Sequence, residues 1–166
     1  MVLPSCHFIY VEKDKKICYV YIFLFFRATD LTHVMFRMGI LAVLRSKCTK
    51  ATIGAMITAS HNPVEDNGIK IVDPMGDMLA ASWEKYAIEL ANVSDSKIDS
   101  VMMKIIKSED IDMNVKGSVF LAKDTRPSCV TLATGFLKAV EALSSDFNDF
   151  GKYNNNNSLF MLFFII

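Results

Sequence analysis

Two hydrophobic rhythms alternate along the middle of this chain, and together they predict its elements. From Asp30 to Ser46 the apolar positions Leu31, Val34, Met35, Met38, Leu41, Ala42 and Leu44 recur every three or four residues. That spacing predicts an amphipathic helix, with Asp30 placed to cap its start. His33 and Arg37, four apart on it, are expected at the surface. Ala51 to Thr58 is continuous and apolar, which predicts a strand buried on both faces. Ile69–Asp73 predicts a second strand, ended by the turn residues Pro74-Met75-Gly76. Helical spacing returns at Trp83, Tyr86, Ala87 and Leu90, with Ser82 as the expected cap. It returns again after Ser94-Asp95 at Ile98, Val101, Met102, Ile105 and Ile106. Beyond Gly117, Ser118–Ala122 predicts a third strand. The loop Asp124-Thr125-Arg126-Pro127-Ser128 then leads into a helix through Leu132, Phe136, Val140 and Leu143, capped by Ser128. Strands alternating with helices imply an α/β layer architecture. In such folds the reacting groups gather on loops at one end of the sheet.

The ends follow other patterns. Ile17–Phe26 is an unbroken run of ten apolar residues, too short for a membrane helix, which needs roughly 20. Glu12 and Asp14 spoil a signal-peptide leader, so a buried strand is expected there. Residues 1–25 nevertheless lack a periodicity that would dock them on the other elements. Residues 152–166 join the low-complexity Tyr153-Asn154-Asn155-Asn156-Asn157 to an unpatterned apolar tail, Leu159–Ile166. Both ends read as foreign to a domain of residues 26–151, as a misjoined or unspliced message would leave them.

Composition narrows the function classes. The 166 residues suit one domain with a real core. Lys plus Arg equals Asp plus Glu, 18 each, which argues against a broad basic surface for nucleic acid. Cys6, Cys18, Cys48 and Cys129 are far apart and form no C-x-x-C pair, so a reducing compartment such as the cytoplasm is expected. His7, His33 and His61 show no ligand spacing, and no D-x-D-x-D run offers a complete magnesium site.

The chemistry concentrates in Thr58-Ala59-Ser60-His61-Asn62-Pro63, a polar loop at the end of an apolar strand. Ser60 is the candidate phosphate carrier, although a loop serine is commonly only a turn or cap residue. Phosphoryl transfer asks a protein mainly for positioning and positive charge, and His61 and Lys70 supply charge or a proton shuttle. Asn67-Gly68 favours a two-residue turn with positive φ that folds Lys70 back towards Ser60, against the alternative of a solvated strand lysine. Arg126 places a planar, phosphate-matching fork at the same end of the sheet. Asp124 is expected to orient Arg126 or cap the helix, and Asp66 and Asp73 to serve turn and strand end.

Thr58–Pro63 resembles the phosphoserine loop of the α-D-phosphohexomutase superfamily. Glu65–Pro74, His33–Gly39, Leu41–Lys47 and Met78–Glu84 are similar to its acetylglucosamine branch, and Asp124–Ser128 to its next active-site loop. The resemblance covers about residues 26–151. It implies an α/β fold layered as helix, mixed sheet and helix, the first domain of an intramolecular phosphotransferase that moves phosphate between O6 and O1 of N-acetylglucosamine, feeding UDP-N-acetylglucosamine synthesis. It further implies that Ser60 is phosphorylated and ligates Mg²⁺, that Lys70 is the general acid/base, and that His61, Arg126 and Arg27 line the phosphate pocket. Tyr21–Arg27 stands where the family has Y-G-T-A-G-F-R, without the glycines that let backbone approach phosphate. The aspartate-rich metal loop, the sugar-recognition loop and the terminal phosphate clamp belong to family domains beyond the resemblance, so this chain alone is expected to be inactive. A glucose or mannose phosphate mutase fragment and a non-catalytic interaction module are the alternatives.

Overall fold

The computed structural model describes residues 7–11, 17–21, 28–59 and 62–152. A four-stranded sheet carries the domain, in the order β4 (Ile69–Val72), β3 (Ile53–Ile57), β5 (Ser118–Lys123), β6 (Asp146–Lys152). β3 and β4 run antiparallel, with Ile57 opposite Ile69 and Met56 opposite Lys70. β3 pairs with β5 in parallel, and β5 with β6 likewise. The α/β expectation with a mixed sheet therefore holds. A two-stranded hairpin, β1 (His7–Val11) with β2 (Ile17–Tyr21), lies beside β4 and α2 (Ala81–Asn92). The strand expected in the first apolar run is thus present as β2, and the hairpin does meet the domain.

Alternation along the strands explains the core. Ile53, Ala55, Ile57, Ile69, Ile71, Val119 and Leu121 are fully buried on one face, where α1 (Thr32–Thr49) and α4 (Cys129–Ala142) pack against the sheet and each other. Gly54, Met56, Lys70 and Phe120 share the other face and are half-buried or exposed, so β3 is not buried on both sides as expected. α1 is more enclosed than an amphipathic helix, because α4, the sheet, α2 and α3 (Ile98–Ser108) all border it. Gly39 sets the closest approach: a Cβ there would sit 2.5 Å from the Phe136 carbonyl oxygen and 2.8 Å from the Ala139 Cβ.

Burying so much of α1 obliges its polar residues to find partners. Arg37 is buried, not at the surface, and donates to the Ala91 carbonyl and the Asp95 carboxylate, both at 2.7 Å. His33 is exposed as expected. Lys47 donates to the carbonyls of Met113 and Val115 at 3.2 and 2.6 Å. Arg45 grips Asp73 through two hydrogen bonds and lies over the Trp83 ring, 4.9 Å from its centroid.

Two expected caps are displaced, and the third makes no capping bond. A 3-10 turn, Ala28–Leu31, precedes α1, so the cap position falls on Leu31 and no side chain caps it. α2 begins one residue before Ser82, with Ala80 at the cap. Ser128 does hold the cap position of α4, but its hydroxyl makes no capping bond. It accepts instead from Asn67.

Candidate functional site

Parallel pairing of β3 with β5 brings two loops to one end of the sheet: residues 58–68 after β3, and residues 124–128 after β5. Their main chains are joined where they leave the strands, the Asp124 N–H donating to the Ile57 carbonyl at 3.0 Å. The Thr58 N–H donates to the Gly68 carbonyl at 3.1 Å, which prolongs the β3–β4 ladder by one rung. Within the first loop, the Asn62 N–H bonds to the Ala59 carbonyl and the Asp66 N–H to the Pro63 carbonyl, both at 3.1 Å. The chain therefore turns at residues 63–66. Neither Asn67 nor Gly68 has a positive φ, so the expected turn at that pair is not formed. The reason lies in Asn67. Its buried side chain donates to Ser128 Oγ at 2.9 Å and to Cys129 Sγ at 3.2 Å, and accepts from the Gly68 N–H at 2.9 Å.

Asp124 is the hub of the second loop. Its carboxylate accepts from the Thr58 hydroxyl at 2.8 Å, from the Arg126 backbone N–H and Nε at 3.0 Å each, and from the Cys129 thiol at 3.0 Å. Burial pushes its pKa upward, but these donors, the thiol foremost, outweigh that and hold it below the ordinary value. The expectation that Asp124 orients Arg126 is met by this geometry. Burial, followed by the hydrogen bond to Asp124, pushes the Cys129 thiol up to about 11, so it stays protonated and donates.

Arg126 reaches back across the first loop. Its Nη2 donates to the Asn62 carbonyl at 2.9 Å, and its Nη1 to the carbonyls of Pro63 and of Asp66, the latter at 3.2 Å. With Nε on Asp124, four hydrogen bonds of the guanidinium go to protein oxygens. Lys70 is half-buried in β4, on the sheet face it shares with Met56. Ser60, His61 and Arg27 lie outside the described residues.

Spacing alone missed Asn67 as a side-chain anchor, and Ser128 and Cys129 as its partners. Their separation of 61 and 62 residues leaves no local signal. Lys123 is buried at the end of β5 and donates to both Asp149 oxygens at 2.6 Å, which fastens the edge strand β6 beside the site. Among the described residues, no three side chains of His, Cys, Asp or Glu converge as metal ligands. No described helix is long and apolar enough to cross a membrane.

Residues 36–97 match the family model of phosphoglucomutase/phosphomannomutase, alpha/beta/alpha domain I. The chain is 50% identical over 125 residues to the phosphoacetylglucosamine mutase of Homo sapiens, and 49% over 124 residues to that of Mus musculus; in each case 75% of this chain aligns with 23% of the relative. Among solved structures, Aspergillus fumigatus N-acetylphosphoglucosamine mutase in complex with GlcNAc-6P and magnesium superposes with a TM-score of 0.79 at 38% identity, over 93% of this chain and 28% of that one. A complex of the same fungal enzyme with glucose 1,6-bisphosphate gives 0.82 at 37% identity, over 93% and 29%. The chain thus spans about a quarter of the length of these relatives.

Proposed function

We propose that the chain, whose residues 36–97 match domain I of the phosphoglucomutase/phosphomannomutase family, is the phosphoserine-bearing first domain of a phosphoacetylglucosamine mutase. In this reading Ser60 carries a phosphoryl group in the resting enzyme. A free hydroxyl of N-acetylglucosamine phosphate attacks it: a new P–O bond to the sugar forms, the bond to Ser60 Oγ breaks, and the hydroxyl proton passes by way of Lys70 to the departing Ser60 Oγ. The bisphosphorylated sugar turns over. Ser60 then takes the phosphoryl group from the other end, with the proton returned to the departing sugar oxygen. The net change moves phosphate between O6 and O1 and leaves the serine as it began, supplying UDP-N-acetylglucosamine synthesis in the cytoplasm.

The observation that carries this reading is the loop 58–68. It is fixed to the segment 124–129 at its entry through Thr58, in its middle through Arg126 and at its exit through Asn67. A transfer site needs its acceptor held still, because positioning supplies much of the rate. His61 and Arg27 complete the positive surroundings in this proposal, and Arg126 holds the main chain of the same loop. Lys70 stands in the neighbouring strand β4, where it is half-buried. Magnesium belongs to the complete enzyme: the phosphoserine is the ligand this chain would contribute. The described side chains do not make a metal shell by themselves.

The test is a chimera in which residues 26–151 replace the matching segment of the human relative. It is expected to interconvert the two N-acetylglucosamine phosphates and to carry phosphate on Ser60 by mass spectrometry. Ser60→Ala should lower turnover by about 10³-fold or more, the scale set by loss of a nucleophile. A chimera that turns over with an unphosphorylated Ser60, or that keeps its rate as Ser60→Ala, overturns the reading.

A further inference from the structure

We infer that Arg126, oriented by Asp124, is a positioning residue that works through backbone: its fork fixes the main chain of residues 62–66 and thereby the loop that carries Ser60 and His61. This rests on the reading of that loop as the phosphoryl-transfer site. The hydrogen bonding of the guanidinium points to the assignment. Nη1 and Nη2 meet three carbonyl oxygens, of Asn62, Pro63 and Asp66, and Nε is held by Asp124. A guanidinium presents planar, fixed donors, so pointing them at three carbonyls of one turn specifies the turn's shape. An ammonium has the charge but not the fan of directions.

Asp124 completes the device from the other side. The same carboxylate that holds Arg126 Nε accepts from Thr58 Oγ1, the residue where the chain leaves β3. The entry of the loop and its turn therefore hang from one acidic group, which is itself anchored by the Cys129 thiol on α4. Asn67 secures the exit independently. Removing the Arg126 fork should loosen the centre of the loop and leave both stems in place.

Amide hydrogen exchange on the full chain tests this, with the N–H groups of Asn62 and Asp66, which bond inside the loop, as reporters. Arg126→Lys keeps the charge and loses the fork. It should speed exchange at both amides by ~10-fold or more, as Arg126→Ala does, with α1 amides unchanged, since local opening is separable from global unfolding. Thr58→Val should speed exchange at the loop entry, and Thr58→Ser should restore it. Wild-type protection in Arg126→Lys would mean that charge suffices and would overturn the assignment; so would unchanged exchange in all these variants. These outcomes do not depend on Ser60 accepting phosphate. In the chimera, Arg126→Lys is expected to lower kcat ~10-fold or more with KM for the sugar phosphate little changed, as misplacement rather than lost binding produces. A raised KM at constant kcat would instead show direct ligand contact and overturn it.

Discussion

Arg45 and Asp73 meet side-on, Nε to Oδ1 at 2.9 Å and Nη2 to Oδ2 at 2.6 Å, with both side chains largely buried. The pair joins α1 to the end of β4, and Asp73 also accepts from the Ala80 N–H at the start of α2. Asp73's hydrogen bonds raise the arginine's pKa by more than burial lowers it. Asp73→Ala leaves a guanidinium without its partner over Trp83, and is expected to cost about 3 kcal/mol. Urea unfolding followed by the fluorescence of Trp83, the single tryptophan, measures it. The double variant Arg45→Met with Asp73→Leu should recover part of the loss, because two apolar groups leave no charge stranded.

Gly39→Ala tests the α1–α4 contact. Alanine improves helix propensity by up to about 1 kcal/mol, but its Cβ would stand 2.5 Å from the Phe136 carbonyl oxygen. Forcing two packed helices apart costs about 1–3 kcal/mol, so packing wins and the variant should melt lower. An unchanged or raised midpoint would refute this.

Acid should release the loop anchor. Asp124 has a folded pKa below its ordinary value, so the stability it contributes is present above about 3.8 and is lost as pH falls through the folded value. Asp124→Asn should be less stable than wild type at neutral pH, and the gap should narrow as the pH drops below 4, in denaturant titrations run at each pH.

Alkali acts through Cys129. Its folded pKa is raised from 9.0 to about 11, so its contribution is complete below 9.0 and declines as pH rises towards about 11. Cys129→Ser keeps a donor for Asp124 without titrating in that window. Its stability curve should therefore be flatter between these values than that of wild type. At pH 8, alkylation mapped by mass spectrometry should modify half-buried Cys48 well before the buried Cys129.

Much of this fold can be read from its apolar spacing, because α1, β3, β4, β5 and α4 each bury a continuous face. β6 could not be: Asp146-Phe147-Asn148-Asp149 has little apolar content. It is a strand because β5 offers an edge and Lys123 a charge for Asp149. Arg37 reads as a surface residue until Ala91 and Asp95 arrive from 54 and 58 residues away. The same limit governs the site. Ser60, Asp124 and Arg126 stand out by type and loop position, and Lys70 by type and its place early in a strand. The side-chain bond between Thr58 and Asp124, and those of Asn67 with Ser128 and Cys129, exist only once β3 and β5 lie together.

Arg126 grasps carbonyl oxygens, which every amino acid possesses. Val64 and Glu65 project outward from that turn, Val64 at 53% exposure, and contribute no side chain to the grip. The rim of the loop is thereby free to drift in evolution, acquiring new polarity or bulk while its contour endures. Heritable variation in selectivity would be tolerated there far more readily than at Thr58, Asn67 or Asp124, where the side chain itself is the fastening.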